Sequence, residues 1–231
     1  ILRLQIFSHV SRTIDLPNLP SLAIDSSIKE IALPEAFGIV FGDDILDVRR
    51  ERQELLGIAF DIGTTGVSAY LVDLKTGEVL NKASAINPQT EFGGDVLSRI
   101  GYCINHPNGL QTLQASIAEG MNDMIQSLLK NQWEIDNVYH LVIAANTTML
   151  HLFLGVYPAS IAKAPYKPVF LNKVDVSSAE LDILMNKKGI ITLLPSVSAY
   201  IGADILAGMA AVAFDKKAHP SIFVDIGTNG E

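Results

Sequence analysis

The sequence predicts an α/β fold built on a mixed sheet, and three observations carry that prediction. An apolar run ends in an acidic, Gly/Thr-rich turn, Asp61-Ile62-Gly63-Thr64-Thr65-Gly66, and leads straight into a second β-rich run that closes at Asp73. A near copy of the turn, Asp225-Ile226-Gly227-Thr228-Asn229-Gly230, follows another β-rich run, SIFV, close to Glu231. Between them lie a long stretch of helical period and a continuous apolar run of the length of a buried strand.

Taken in order, residues 1–56 read as a small segment of short strands and turns that links to the rest. LRLQIF alternates apolar positions, and Pro17, Pro20 and Pro34 each fix φ and remove a donor, which disfavours helices before Pro34. The charged run Asp43 to Glu54 reads as a solvated connector. Residues 57–231 form the main domain. Its opening runs GIAFDI, GVSAYLVDL and EVLNKASAI, the last two reversed at Lys75-Thr76-Gly77, predict an antiparallel meander.

After Asn87-Pro88 and the loop PQTEFGGD come helical segments, in which Leu113, Ile117, Met121, Met124, Ile125 and Leu128 recur at spacings of three and four and define one core-facing helix side. VYHLVIAA, Val138 to Ala145, is a buried central strand that runs into a helix capped by Asn146 or its threonine neighbours. Pro158, Pro165 and Pro168 mark an irregular crossing. A short helix is expected over Ser177 to Asn186, a strand over Gly189 to Leu194, an Ala/Gly-rich helix over Ser196 to Phe214, and a last strand over Ser221 to Ile226.

Composition narrows the function classes. A 48% hydrophobic fraction and a mean hydropathy of +0.29 are enough to bury a core in one large domain with an appendage. A net charge of −8 gives no place to nucleic acid or an anionic membrane, which need clustered Lys and Arg. The single cysteine, Cys103, cannot form an intrachain disulfide or by itself hold a zinc or iron–sulfur site. With no apolar run long enough to span a bilayer, a cytoplasmic place of work is expected. Because the first residue is Ile1, the chain is expected to be a fragment of a longer protein.

The repeated turn carries the chemistry. Glycine after Asp-Ile permits a tight turn that brings N–H groups to phosphate oxygens, and the Thr hydroxyls add donors. A carboxylate beside a phosphate is repelled unless a divalent cation intervenes, so Asp61 and Asp225 are expected to hold Mg²⁺, through water, or to orient an attacking water. One such turn is weak evidence, but two, each behind a hydrophobic strand, fit an internally duplicated fold that clamps a nucleotide between its hairpins. There is no GxxxxGK[ST] P-loop.

DIGTTG and DIGTNG resemble the phosphate 1 and phosphate 2 hairpins of the actin-like ATPase superfamily, which includes acetate and sugar kinases and heat-shock chaperone ATPases. The resemblance implies an actin-like, ribonuclease H-like subdomain and gives Asp61, Gly63, Thr64 and Thr65, then Asp225, Gly227, Thr228 and Asn229, contacts to Mg²⁺ and the terminal phosphates of ATP. Longer strings, LLGIAFDIGTTGVSAYLVDLKTGEVL, GGDVLSRI, ANTTMLHLFLG, PSVSAYIGADILAGMAA and IFVDIGTNGE, are similar to the ATPase domain of the reductive activators of corrinoid proteins. That resemblance implies ATP-driven one-electron reduction of an inactivated Co(II) corrinoid to Co(I) in a methyltransferase system. The partners are a corrinoid protein and a nucleotide, and a homodimer is compatible with it. The electron donor is a 2Fe-2S cluster in a domain absent from this chain. The family's adenosine motif lies beyond the second turn, so this chain is expected to carry the phosphate clamp and to be inactive alone.

The same resemblance places Asp204, the acidic residue of an otherwise small and apolar helix, near the attacking water; a solvent-facing carboxylate is the plain alternative. Asn146 and Thr147 could line the cleft or cap a helix, and Asp95 reads equally as an N-cap. His151 and Cys103 read as core. Two other functions remain open at this level: a small-molecule kinase of the same superfamily, and a non-catalytic nucleotide-sensing or protein-docking domain.

Overall fold

The computed structural model of the chain describes residues 28–216 and 218–225. Three strands, β1 (Ile28–Leu33), β2 (Ala36–Phe41) and β3 (Asp44–Arg49), form a small antiparallel sheet. Its tight turns take Glu35 and Gly42 to positive φ, 58° and 60°. The run Asp43 to Glu54 is therefore not a plain connector. Half of it is β3, because Asp47 and Arg49 find a buried partner on the larger sheet in Tyr139, whose hydroxyl donates to Asp47 and accepts from Arg49 Nε at 2.9 Å, and Asp47 also pairs with the exposed Lys188. Ile28, Ile39 and Phe41 pack with Leu55, Tyr139 and Ile190 into one apolar cluster that joins the two sheets.

The larger sheet has six strands in the order β6-β5-β4-β7-β9-β8. The predicted meander is β4 (Leu56–Ile62), β5 (Gly66–Asp73) and β6 (Val79–Ile86), all antiparallel. The apolar run is β7 (Val138–Ala145), parallel to β4 and to β9 (Ile190–Leu193), while β8 (Val174–Ser177) closes the far edge antiparallel to β9. This mixed sheet with flanking helices is the actin-like subdomain arrangement that the two turns pointed to.

Side-chain alternation divides the work of the sheet. Leu56, Ile58, Phe60 and Ile62 of β4 join the main core with Val67, Ala69 and Leu71 of β5. Two helices, α1 (Val96–Asn105) and α2 (Gly109–Leu129), follow β6, and the apolar stripe read from sequence is the side that α2 buries. Lys130 ends α2 in the left-handed region, φ 44°. Asp95 caps α1 in a reciprocal capping box with Ser98, and Cys103 is buried in the core. After β7 come α3 (Thr147–Phe153), capped by the Asn146 side chain, and the short α4 (Ala159–Ala162). His151 is enclosed, with Nδ1 2.7 Å from the Thr147 carbonyl, Nε2 accepting from the Val169 N–H at 3.1 Å, and its ring stacked on Phe170.

Three expected elements differ. The helix expected over Ser177 to Asn186 is the end of β8 followed by a 3-10 turn, Ser178–Glu180. Ile183 and Met185, two residues apart, are both buried, a spacing that an α-helix does not turn onto one side, and the Ser178 hydroxyl and N–H are taken by the carbonyls of Asn186 and Gly189. The helix expected over Ser196 to Phe214 shortens to α5 (Ala203–Ala211) plus a 3-10 turn at Phe214–Lys216, because the Ser198 hydroxyl accepts the N–H groups of Tyr200 and Ile201 and closes a loop first. Of the strand expected over Ser221 to Ile226, Ile226 lies outside the described residues and Ser221 to Asp225 forms no strand: among the described residues no strand pairs with it, and Ile222 and Val224 stand 89% and 62% exposed. Among the described residues no helix is long and apolar enough to cross a membrane.

Candidate functional site

Two parallel strands, β4 and β7, end side by side, with Asp61 in register with Ala144 and Ile62 with Ala145. The chain then turns at Gly63 and at Asn146, so the turn Gly63–Gly66 and the start of α3 share one end of the sheet, where ligands of open α/β sheets bind. Phe60 and Ile62 point into the core under α2, which by alternation sends Asp61 to the opposite side of the sheet. That side is covered by α5, packed against β7.

The approach of α5 is close. A Cβ on Gly202 would lie 2.5 Å from Asn146 Cα, 2.5 Å from Asp204 Oδ1 and 2.9 Å from the Ala145 carbonyl oxygen, so only glycine admits the first turn of α5 beside the end of β7. Asp204 sits in that first turn, with Oδ1 accepting the Ile205 N–H at 2.9 Å. Phe223 packs on Gly208 of α5, where an added Cβ would meet its ring at 2.7 Å, and this brings Asp225 to the same place. The result is a cavity of about 600 Å³ bounded by the hairpin, Asn146, α5 and the segment Phe223 to Asp225.

Gly63 holds the turn tight: a Cβ there would stand 2.8 Å from the Gly66 carbonyl. The hairpin is tied back to the protein at three successive carbonyls. Asn87 Nδ2 donates to the Gly63 oxygen at 2.8 Å, the Asn87 N–H to the Thr65 oxygen at 2.8 Å, and Arg99 Nη2 to the Thr64 oxygen. Asn146 Nδ2 reaches the Thr64 hydroxyl at 3.1 Å, while its Oδ1 accepts the Met149 N–H at 3.0 Å, so one side chain both caps α3 and supports the hairpin.

Electrostatically the cavity is acidic: Asp61, Asp204 and Asp225 line it, and among the described residues no Lys or Arg does. Burial, then the neighbouring charges of Asp204 and Asp225, push the Asp61 carboxyl above the ordinary carboxylate range. Asp204 is pushed up by burial and by Asp225, against the lowering effect of the backbone N–H groups it accepts. Among the described residues no three His, Cys, Asp or Glu side chains gather closely enough to hold a metal ion directly.

Asp61, Gly63, Thr64, Thr65, Asn146, Asp204 and Asp225 are thus brought together around one cavity. Thr147 is not among them. It is 1% exposed and donates to the Ser198 carbonyl at 2.6 Å, which pins the loop that precedes α5. Gly227, Thr228 and Asn229 lie outside the described residues. Sequence reasoning passed over Asn87 and Arg99. The signals were present: an asparagine directly after a strand and before a proline, and an arginine four residues into an otherwise apolar helix turn.

Comparison with known proteins agrees with this geometry. The family described as the RACo middle region matches residues 56–217. The chain is 34% identical over 227 residues to the corrinoid activation enzyme RamQ of Eubacterium limosum, across 96% of this chain and 38% of RamQ. It is 28% identical over 186 residues to the [Co(II) methylated amine-specific corrinoid protein] reductase of Methanosarcina barkeri, across 77% of this chain and 33% of that protein. Among solved structures, a reductive activator for corrinoid, iron–sulfur protein superposes with a TM-score of 0.82 at 37% identity, covering 84% of this chain and 32% of that one. The chain spans about a third of the length of these relatives. The match over β4 to α5 and the shared fold make the chain a member of the RACo middle region family.

Proposed function

We propose that this chain carries the phosphate-clamping part of an ATP-dependent reductive activator of corrinoid proteins. The observation that carries the reading is the Asp61–Gly66 hairpin set opposite Asp204 and Asp225 across one cavity. The residues fit a metal-bound polyphosphate. The Gly63 turn is too tight for a side chain, the hairpin exposes Thr65 to the cavity, and three carboxylates with no basic partner among the described residues admit phosphate only together with a divalent cation.

In this reading Asp61 and Asp225 hold Mg²⁺ through water, since the described carboxylates do not converge on a direct ligand set. Gly63, Thr64 and Thr65, with Gly227, Thr228 and Asn229, contact the phosphates, and Asn146 fixes the rotamer of Thr64. Asp204, held in the first turn of α5, accepts a proton from water near the terminal phosphate, a role that suits a carboxyl made more basic than an ordinary one by burial. Bound MgATP supplies the free energy for moving one electron from an iron–sulfur cluster outside this chain to a Co(II) corrinoid, giving Co(I). The corrinoid protein is the macromolecular partner.

The test uses the full-length protein: MgATP binding by calorimetry, and ATP-dependent Co(II) corrinoid reduction followed by absorbance. Asp61→Ala should lose both. Unchanged reduction by that variant refutes the assignment.

A further inference from the structure

Arg99 of α1 is wholly enclosed, yet no carboxylate accepts from its guanidinium. Nε donates to the Gly93 carbonyl at 2.9 Å, Nη1 reaches the Gln89 side-chain oxygen at 3.3 Å and the Met149 sulfur at 3.1 Å, and Nη2 donates to the Thr64 carbonyl. Asp95, one turn earlier, spends its carboxylate on the Ser98 N–H. The Asp95 charge acts on Arg99 only from a distance, and enclosing a guanidinium with no described carboxylate hydrogen-bonded to it is costly; a hydrocarbon of similar size would fill the space at lower cost. What a hydrocarbon cannot do is hold the hairpin.

The Thr64 carbonyl and the Thr65 N–H belong to one planar trans peptide and point in opposite directions. Fixing the carbonyl on Arg99 therefore turns the Thr65 N–H away from the buried side, at a residue that lines the acidic cavity. Gln89 joins the same construction: its N–H is accepted by Asn87 Oδ1 at 2.9 Å and its amide nitrogen donates to the Leu113 carbonyl at 2.9 Å, so the fork is braced against α2. Among the described residues the cavity walls carry three carboxylates and no cation, and the Arg99 charge stands directly behind the hairpin.

We propose that Arg99 is a positioning residue for phosphate binding: its fork sets the Thr64–Thr65 peptide, and its enclosed charge makes the hairpin a better seat for an anion. It does not touch the ligand. The proposal rests on the nucleotide reading of the cavity, and its test separates the two. In the nucleotide-free full-length protein, Arg99→Met should exchange the amide hydrogens of residues 62–66 about tenfold faster than wild type, with the peptides of α2 unchanged. The same variant should bind MgATP about tenfold more weakly. Should Arg99→Met fail to fold, Arg99→Lys, which keeps the charge and loses the fork, is measured in the same way and should show the same local loss. Unchanged exchange at the hairpin in the folded variant overturns the positioning role. Absence of MgATP binding by the wild type sinks the nucleotide reading instead, and with it the phosphate half of this proposal, while the exchange result still decides what holds the hairpin.

Discussion

Gly202→Ala perturbs the site without removing any of its chemistry. The added Cβ falls 2.5 Å from Asn146 Cα, 2.5 Å from Asp204 Oδ1 and 2.9 Å from the Ala145 carbonyl oxygen. Two of these are backbone atoms at the end of β7, so no rotamer change relieves them. Non-bonded carbons settle at roughly 3.5–4.0 Å, so the first turn of α5 must retreat by about 1 Å. Overpacking of this kind costs about 1–3 kcal/mol. Gly202 has φ −85°, which alanine adopts without strain, and the lost freedom of the unfolded chain returns about 0.4–1 kcal/mol. The two ranges leave a net loss of about 0–2.6 kcal/mol with a midpoint of about 1.3 kcal/mol, which lowers the melting temperature by roughly 3–5 °C at about 2–4 °C per kcal/mol. Asp204 moves with α5 while Asp61 stays on β4, so nucleotide affinity should fall as well. Thermal melting and MgATP titration of the full-length variant check both effects. A variant that melts within 1 °C of wild type and binds nucleotide equally refutes the close-approach argument.

Two further outcomes follow from the same contacts. The Asp204 carboxyl is raised above its unfolded value, so its favourable contribution to folding is complete below the ordinary carboxylate range and disappears as pH rises through the raised value. Asp204→Asn should therefore melt higher than wild type at pH 7, lose that advantage near pH 4, and still slow ATP hydrolysis; a lower melting temperature at pH 7 contradicts the sign. Asp47 runs the other way: hydrogen bonds from Lys188 and Tyr139 outweigh the upward push of burial and hold it low, so its contribution is present above the ordinary range and is lost as pH falls. Tyr139→Phe removes the hydroxyl between Asp47 and Arg49 and should cost about 1–2 kcal/mol in chemical denaturation. No loss would show that the apolar cluster alone joins the two sheets.

What the sequence made legible is what local periodicity encodes. The β4–β5–β6 meander, β7, and the buried stripe of α2 were readable because each pattern repeats along one element. The first acidic turn was readable as the link between two β-rich runs; of the matching second one only Asp225 lies among the described residues. The segment Ser177 to Asn186 was misread because serine and glutamate near a helix start are also what a strand end and a 3-10 turn use, and the spacing of Ile183 and Met185, which decides between them, was overlooked. The hidden part of the site is non-local. Nothing near Arg99 in sequence says that its fork will meet a carbonyl on a hairpin from another strand, or that Asn87 will hold two more. Asp204 was singled out by its isolation in an apolar helix, and the approach of α5 at Gly202 brings it, half-buried, to the wall of the cavity.

The acidity of the cavity sets a condition on the proposed ligand that can be measured directly. Two like unit charges about 4 Å apart repel by about 4 kcal/mol at an effective dielectric near 20, and Asp61, Asp204 and Asp225 surround one space with no facing cation among the described residues. A bare polyphosphate entering that space meets repulsion from each of them, whereas a metal-bound one meets attraction. Nucleotide binding by the full-length protein should therefore vanish in excess chelator and return with Mg²⁺, rather than weaken by a small factor. Lowering the pH should restore part of the metal-free binding, because Asp61 and Asp204 take up protons before an ordinary carboxylate does. Equal affinity for ATP with and without chelator at pH 7 would mean that phosphate does not sit beside these carboxylates, and the clamp would have to be sought elsewhere on the fold.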